Sequence, residues 1–397
     1  MTEHEEKIKE LIKCGELEKW LCTQPISSFP TYYPAKGEKS YPERYQDLKT
    51  ALVPLHNIVE KGAMVAAANK WRREICQEIE TLKQAKTGEN DVDRLNSALD
   101  ADPIVYLNQH GTGHVDKVIE KAYDLLVNFT SGMLSSFEVF LLLCSIQVHD
   151  TGNVIGRNEH EKSIRKVTQG EVSRSIPDAP TQKYIYRIAQ LHSGSVNADR
   201  DTIGAAIASS ALLLESKLCD RSIRAPLLAA ILRFADELAD DRSRADERAL
   251  DLGIVSDASA IYHQYSRSLH TVSIEKNPVN QTLYLLLVYF IDSDLVTMRF
   301  PKYDSTQLLI DEIFLRTRKV EQERRYCMRF FSQHLPIVEI RVKIEIDHRY
   351  DLMKPWIITY TLKENGYPSS DIIIDCLENT GAKVIATLNE NGWGLQE

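Results

Sequence analysis

The chain opens on a charged stretch, EHEEKIKELIKCGELEKWL, whose apolar positions recur at helical spacing, so one amphipathic helix is predicted over the first twenty residues. The Pro-, Tyr- and Ser-rich TQPISSFPTYYPAKGEKSYPER then reads as an irregular connection. Residues 43 to 86 return to a period near 3.6 in LVPLHNIVEKGAMVAAANKWRREICQEIETLK, until TGENDVD breaks it. From about 101 to 250 nearly everything reads as helix. HVDKVIEKAYDLLVNF carries a stripe of Val115, Val118, Ile119, Ala122, Leu125 and Leu126. Ser135 and Glu138 have capping-box spacing ahead of FEVFLLLCSIQV. TQKYIYRIAQLH and APLLAAILRFADELADD add two further helices.

The character changes after about 255. HTVSIEKN and QTLYLLLVYFI are predicted strands with a turn between them. STQLLIDEIFLRTRKVEQERRYCMRFFSQHL is predicted as a long helix, and the alternating, β-branched IVEIRVKIEID as a strand. The tail, 365–397, with DIIIDCLENTGAKVIATLNENG, reads as a further strand-rich piece. The expected organisation is a helical N-terminal extension over 1–100, a helical core over 101–255 and a C-terminal α+β domain over 256–397, which makes the fold class mainly α.

Composition narrows the function classes. A net charge of −9 argues against a broad basic surface for extended nucleic acid. No apolar run reaches the roughly 18 residues of a membrane span, and the charged, polar opening residues are not expected to act as a secretory signal. The seven cysteines are scattered with no CxxC, as expected of free thiols in a reducing cytoplasm.

Candidate chemistry sits where apolar helices end. HGTGHVDKV carries His110 and His114, QVHDTGN carries His149 and Asp150, AQLHSG carries His192, and LRFADELADD carries Asp236. Taken alone, His149–Asp150 is compatible with a core hydrogen bond, a catalytic dyad or two ligands of one ion. The ordered set H, HD, H, D is a mixed imidazole and carboxylate donor set, which suits Mn, Mg, Fe, Co, Ni or Zn. Neighbours on a helix diverge by about 100°. His149 and Asp150 therefore converge on one ion only if it lies at the helix end.

Residues 105–245 resemble the HD superfamily of metal-dependent phosphohydrolases through His114, His149–Asp150 and Asp236 in RFADELADD. The resemblance implies an HD-type helical bundle and a divalent metal held by His114, His149, Asp150 and Asp236. HDTGNVIGRNEHE is similar to the HD-x-G-N segment of deoxynucleoside triphosphate triphosphohydrolases, in which a histidine shortly after HD lies beside the phosphates. His160 takes that part here, although its spacing is longer and the family's Pro-Phe-Gly is absent. Asp150, His160 and His192 are the catalytic candidates. His192 matches the extra histidine of binuclear HD phosphodiesterases, but LHSG supplies one histidine where those enzymes have a pair, so one ion per subunit is expected.

For substrate binding, Arg157 and Lys162 are candidate cations beside the phosphates, His110 a candidate phosphate contact, and Asp240 a candidate for a sugar hydroxyl or a water. The implied reaction is hydrolysis of a dNTP to deoxynucleoside and triphosphate. The alternatives are an HD phosphodiesterase or nuclease on cyclic or oligonucleotides, and a nucleotide-sensing HD regulator. The resemblance further implies a homo-oligomer with an allosteric nucleotide, and the long C-terminal helix is the candidate for packing a partner subunit or forming that pocket.

Overall fold

The structure is a computed structural model that describes residues 2–31, 39–61, 111–155, 160–193, 200–245, 250, 255, 257–302, 305–348, 354–363 and 380–395. The helices α1 (Glu3–Cys14), α2 (Leu17–Thr23) and α3 (Tyr41–Lys61) come first. They are followed by α4 (Thr112–Val127), α5 (Ser136–Val148), α6 (His160–Ser175), α7 (Ala179–Gln190) and α8 (Thr202–Ala208). A small hairpin, β1 (Ser216–Leu218) and β2 (Arg221–Ile223), precedes α9 (Ala225–Leu238). Then come α10 (Asp257–Ser268), β3 (Leu269–Lys276), β4 (Leu283–Asp292), α11 (Ser293–Val296), β5 (Arg299–Lys302) and β6 (Ser305–Leu308). The long helix α12 (Leu309–Phe331), β7 (Ile337–Asp347), β8 (Trp356–Lys363) and α13 (Gly381–Glu390) complete the order.

The centre of the helical part is α5, and every one of its residues is buried. A helix apolar on all sides must be surrounded, and α5 packs against α3, α7 and α9. Its few polar groups are satisfied internally. Ser145 donates to the carbonyls of Leu141 and Ile185, and Gln147 Nε2 donates to the Tyr45 hydroxyl at 3.0 Å. The helix starts with the predicted capping box: Ser135 accepts from Glu138 N, and the Glu138 carboxylate accepts from Ser135 N. That carboxylate also receives Arg224 Nε and Nη2, at 2.9 and 2.8 Å, which ties the start of α5 to the start of α9.

The C-terminal part holds a four-stranded sheet in the order β3-β4-β7-β8. β4 and β7 run parallel, and the other neighbours antiparallel. A parallel pair needs a crossover, and the segment from α11 through α12 supplies it. Beyond its place beside the sheet, α12 packs on α9, so the sheet domain and the helical core share one continuous apolar cluster.

Three local expectations change. The single N-terminal helix is two, because Gly15 at φ +70° ends α1 in the left-handed conformation and its N–H bonds back to the Leu11 carbonyl. The region read as almost entirely helical contains the β1–β2 hairpin, turned through Cys219 at φ +56°. The strand-rich tail is helical over Gly381–Glu390, where Val384, Ile385 and Leu388 form a buried helical stripe. A short apolar run such as VIATL satisfies either period, and the Thr380 cap at its start favours helix. The earlier tail residues, and most of the helix expected to reach residue 86, lie outside the described residues. No helix among the described residues is long and apolar enough to cross a membrane.

Candidate metal centre

The expected metal donors, and the catalytic candidate His192, come from the ends of four helices. His114 lies in the first turn of α4, His149 caps the C-terminus of α5, His192 follows α7, and Asp236 lies in the last turn of α9. Asp150 begins the short 3-10 turn Thr151–Val154 with φ −101° and ψ −1°. Leaving the α-helix at this residue lets His149 and Asp150 face the same space despite being neighbours.

The side chains meet there. His114 Nε2 lies 3.0 Å from Asp236 Oδ1 and 3.6 Å from Asp150 Oδ2. His149 Nε2 lies 3.6 Å from the same Asp150 oxygen and 3.7 Å from Asp236 Oδ1. The other oxygen of Asp150 faces a second pair of imidazoles, with His160 Nε2 at 3.3 Å and His192 Nε2 at 3.7 Å. Those two nitrogens are 3.2 Å apart. Two triads result, His114–His149–Asp150 and Asp150–His160–His192, each with donor atoms within 4.8 Å of one another.

The donor chemistry fits divalent ions. His149 Nδ1 contacts the Ile146 carbonyl at 2.7 Å, and His192 Nδ1 contacts the Ala189 carbonyl at 2.5 Å. A carbonyl only accepts, so each Nδ1 carries a proton and Nε2 is the nitrogen that faces the cluster. His149 Nε2 is buried and has no hydrogen-bond partner among the described residues. A buried lone pair aimed at carboxylates is repelled by them unless a proton or a cation lies between.

The electrostatics reflect that need for positive charge. Burial alone would depress the His149 imidazole, but Asp150 and Asp236 outweigh it and raise its pKa to about 9. Burial lowers His114, assisted by the charge of Arg244. Burial would raise the Asp236 carboxyl, yet the His114 and His149 imidazoles beside it hold it well below the usual carboxylate range.

A glycine makes the second triad possible. A Cβ placed on Gly152 would lie 1.9 Å from the His160 carbonyl oxygen. The backbone of the turn after Asp150 thus touches the start of α6, and this contact brings His160 to Asp150.

The remaining candidates are dispersed. Lys162 is exposed on α6. Asp240 lies beyond α9 with its carboxylate 3.7 Å from Arg244, 3.6 Å from Arg316 and 3.1 Å from the Ser266 hydroxyl. His110 and Arg157 lie outside the described residues. The structure adds groups that the motifs do not mark. Ser193 Oγ is 3.4 Å from His160 Nε2, and Glu161 Oε2 is 3.6 Å from its Nδ1. Both adjoin a candidate histidine in sequence, and that adjacency was their one available signal.

No curated protein and no solved structure matches the chain. One family does: HD-CE, over residues 101–319, more than half of the sequence and all of the described cluster. The chain belongs to the HD-CE family.

Proposed function

We propose that the chain is a metal-dependent phosphohydrolase of nucleotides with two donor groups for divalent ions that share Asp150. The observation that carries this reading is the sharing of one carboxylate between two imidazole pairs. A structural histidine cluster has no need of that arrangement, whereas a two-ion phosphoester site does. Asp236, with His114 and His149, would help hold an ion at the first position, and His160 and His192 would hold one at the second. The revision from one expected ion to two follows from His160, which replaces the missing histidine of the LHSG segment as a donor.

Bound divalent ions supply Lewis-acid polarisation of a phosphoryl oxygen and a more acidic water. The protein's own groups orient this chemistry. The carbonyls of Ile146 and Ala189 fix the tautomers of His149 and His192. Glu161, with a carboxylate oxygen 3.6 Å from His160 Nδ1, adds a negative charge beside that ring.

On substrate, the HD-x-G-N segment favours dNTPs cleaved to deoxynucleoside and triphosphate, and this is the first reaction to test. The second triad favours a phosphodiesterase acting on cyclic or short oligonucleotides as the second reading. The deciding experiment is a product screen of metal-loaded protein with dNTPs, NTPs, cyclic dinucleotides and single-stranded DNA. Nucleoside plus triphosphate supports the first reading, and monophosphates or shortened strands the second. Absence of turnover with every metal, in protein that binds two ions, would sink both.

A further inference from the structure

Beside the metal centre lies a cleft of about 420 Å³, within the roughly 300–1,000 Å³ of small-molecule sites. His192 and Asp236 contribute to one side of its lining, and Lys319 and Glu323, one turn apart on α12, to another. Arg200 and Arg233 also line it. The long C-terminal helix therefore builds part of the space next to the proposed catalytic ions.

The ion pairs sort these charges into two kinds. Arg233 is buried and its guanidinium is committed. Nε and Nη2 donate to Glu323 at 2.6 and 2.8 Å, and Nη1 donates to the Arg200 carbonyl and the Thr202 hydroxyl, both at 3.1 Å. Arg233 thus fixes α12 and the backbone of residue 200 and has little left to offer a ligand. Lys319 differs. It is paired with Glu237 at 2.6 Å, but its side chain is 41% exposed and an ammonium has three donors. Arg200 is exposed, and its guanidinium carries no ion pair among the described residues. Its backbone is anchored by Arg233 while its charge is left to the cleft.

We propose that Lys319 and Arg200 form an anion subsite for a phosphate group of the substrate other than the one attacked at the metal centre. The subsite selects substrates with a chain of phosphates over those with one. The proposal rests on the phosphohydrolase reading for what occupies the neighbouring site. Glu237 competes with the substrate phosphate for Lys319, which makes the subsite weaker than two unopposed cations would be.

The test is calorimetric titration of the metal-loaded full chain with inorganic tripolyphosphate and with orthophosphate, metal being kept in excess. It needs no turnover. Wild type is expected to bind tripolyphosphate more tightly than orthophosphate. Lys319→Gln and Arg200→Gln should each weaken tripolyphosphate about tenfold, with orthophosphate little changed. Glu237→Gln should move the opposite way and tighten tripolyphosphate, a sign that a purely structural role for Lys319 does not produce. Equal affinity of wild type for the two anions, or a double Lys319→Gln, Arg200→Gln variant that binds tripolyphosphate as wild type does, overturns the proposal. Failure of the wild-type chain to bind metal is a separate result and overturns the metal reading instead.

Discussion

The cleft joins two walls built on opposite principles. On the metal wall, polar groups sit at the ends of apolar helices: His149 closes α5, in which every residue is buried, and Asp236 ends α9, most of which is buried. On the other wall, Lys319 and Glu323 lie in the middle of the amphipathic α12, at the spacing of an ordinary charged surface stripe. A polar residue that ends an apolar helix reads as an anomaly in sequence, whereas a charge within a charged stripe reads as background. The first wall concentrates burial and charge in a few atoms, and the second spreads it through ion pairs. Substitutions should therefore fall hardest on the first wall in metal binding and on the second in stability or substrate choice.

The largest effect expected is from Asp150→Ala. Asp150 faces all four imidazoles, so its loss should remove both ions and lower turnover by roughly a thousandfold or more, with the helical circular dichroism retained. Metal analysis of the purified variant checks this. A variant that still held two equivalents would break the bridging role.

Gly152→Ala separates the triads. The added Cβ cannot coexist with the His160 carbonyl, so the start of α6 must shift while His114, His149 and Asp236 stay in place. One equivalent of metal should remain where wild type holds two, with activity down about a hundredfold from the misplaced His160. Retention of both equivalents would show that the second ion does not depend on the placement of His160.

On the other wall, Arg233→Ala should act through stability. It strands Glu323, whose side chain is only 12% exposed, and removes the stacking of the guanidinium over Tyr326 at 4.3 Å. Breaking a buried pair from one side costs about 3–5 kcal/mol. Chemical denaturation should register that loss while metal stoichiometry stays at the wild-type value. If metal were lost as well, the two walls would be coupled more tightly than their separate construction implies.

The contrast also explains how far the sequence could be read. His114, His149, Asp150, His192 and Asp236 were legible because apolar helices deliver them in order. The Ser135–Glu138 cap, β3, β4, α12 and β7 were legible from local period and turn chemistry. The placing of Asp150 between two imidazole pairs was not, because it depends on a Gly152–His160 backbone contact whose reason appears only in three dimensions. Nor was the role of α12: which of its charges faces a cleft depends on how it crosses α9, and helical period carries no such information. β8 and α13 escaped for a simpler reason, that short apolar runs fit either period.

The smallest predicted effect tests the electrostatics of the metal wall. Metal binding needs the His149 Nε2 lone pair, but Asp150 and Asp236 raise this group from 6.5 to about 9, so the metal-free folded chain is protonated there at neutral pH. That proton stabilises the metal-free fold fully below 6.5, and the contribution fades as pH rises toward 9. Metal affinity has the opposite sign. It should climb about tenfold per pH unit from neutrality and level off near 9, with about one proton released per ion bound at the first triad. His114 is pushed the other way by burial and adds no slope in this window. Competition with a chelator across that range measures the slope, and calorimetry in buffers of different ionisation enthalpy counts the proton. A flat profile would mean that His149 is already neutral, and that the two carboxylates draw their compensating charge from elsewhere.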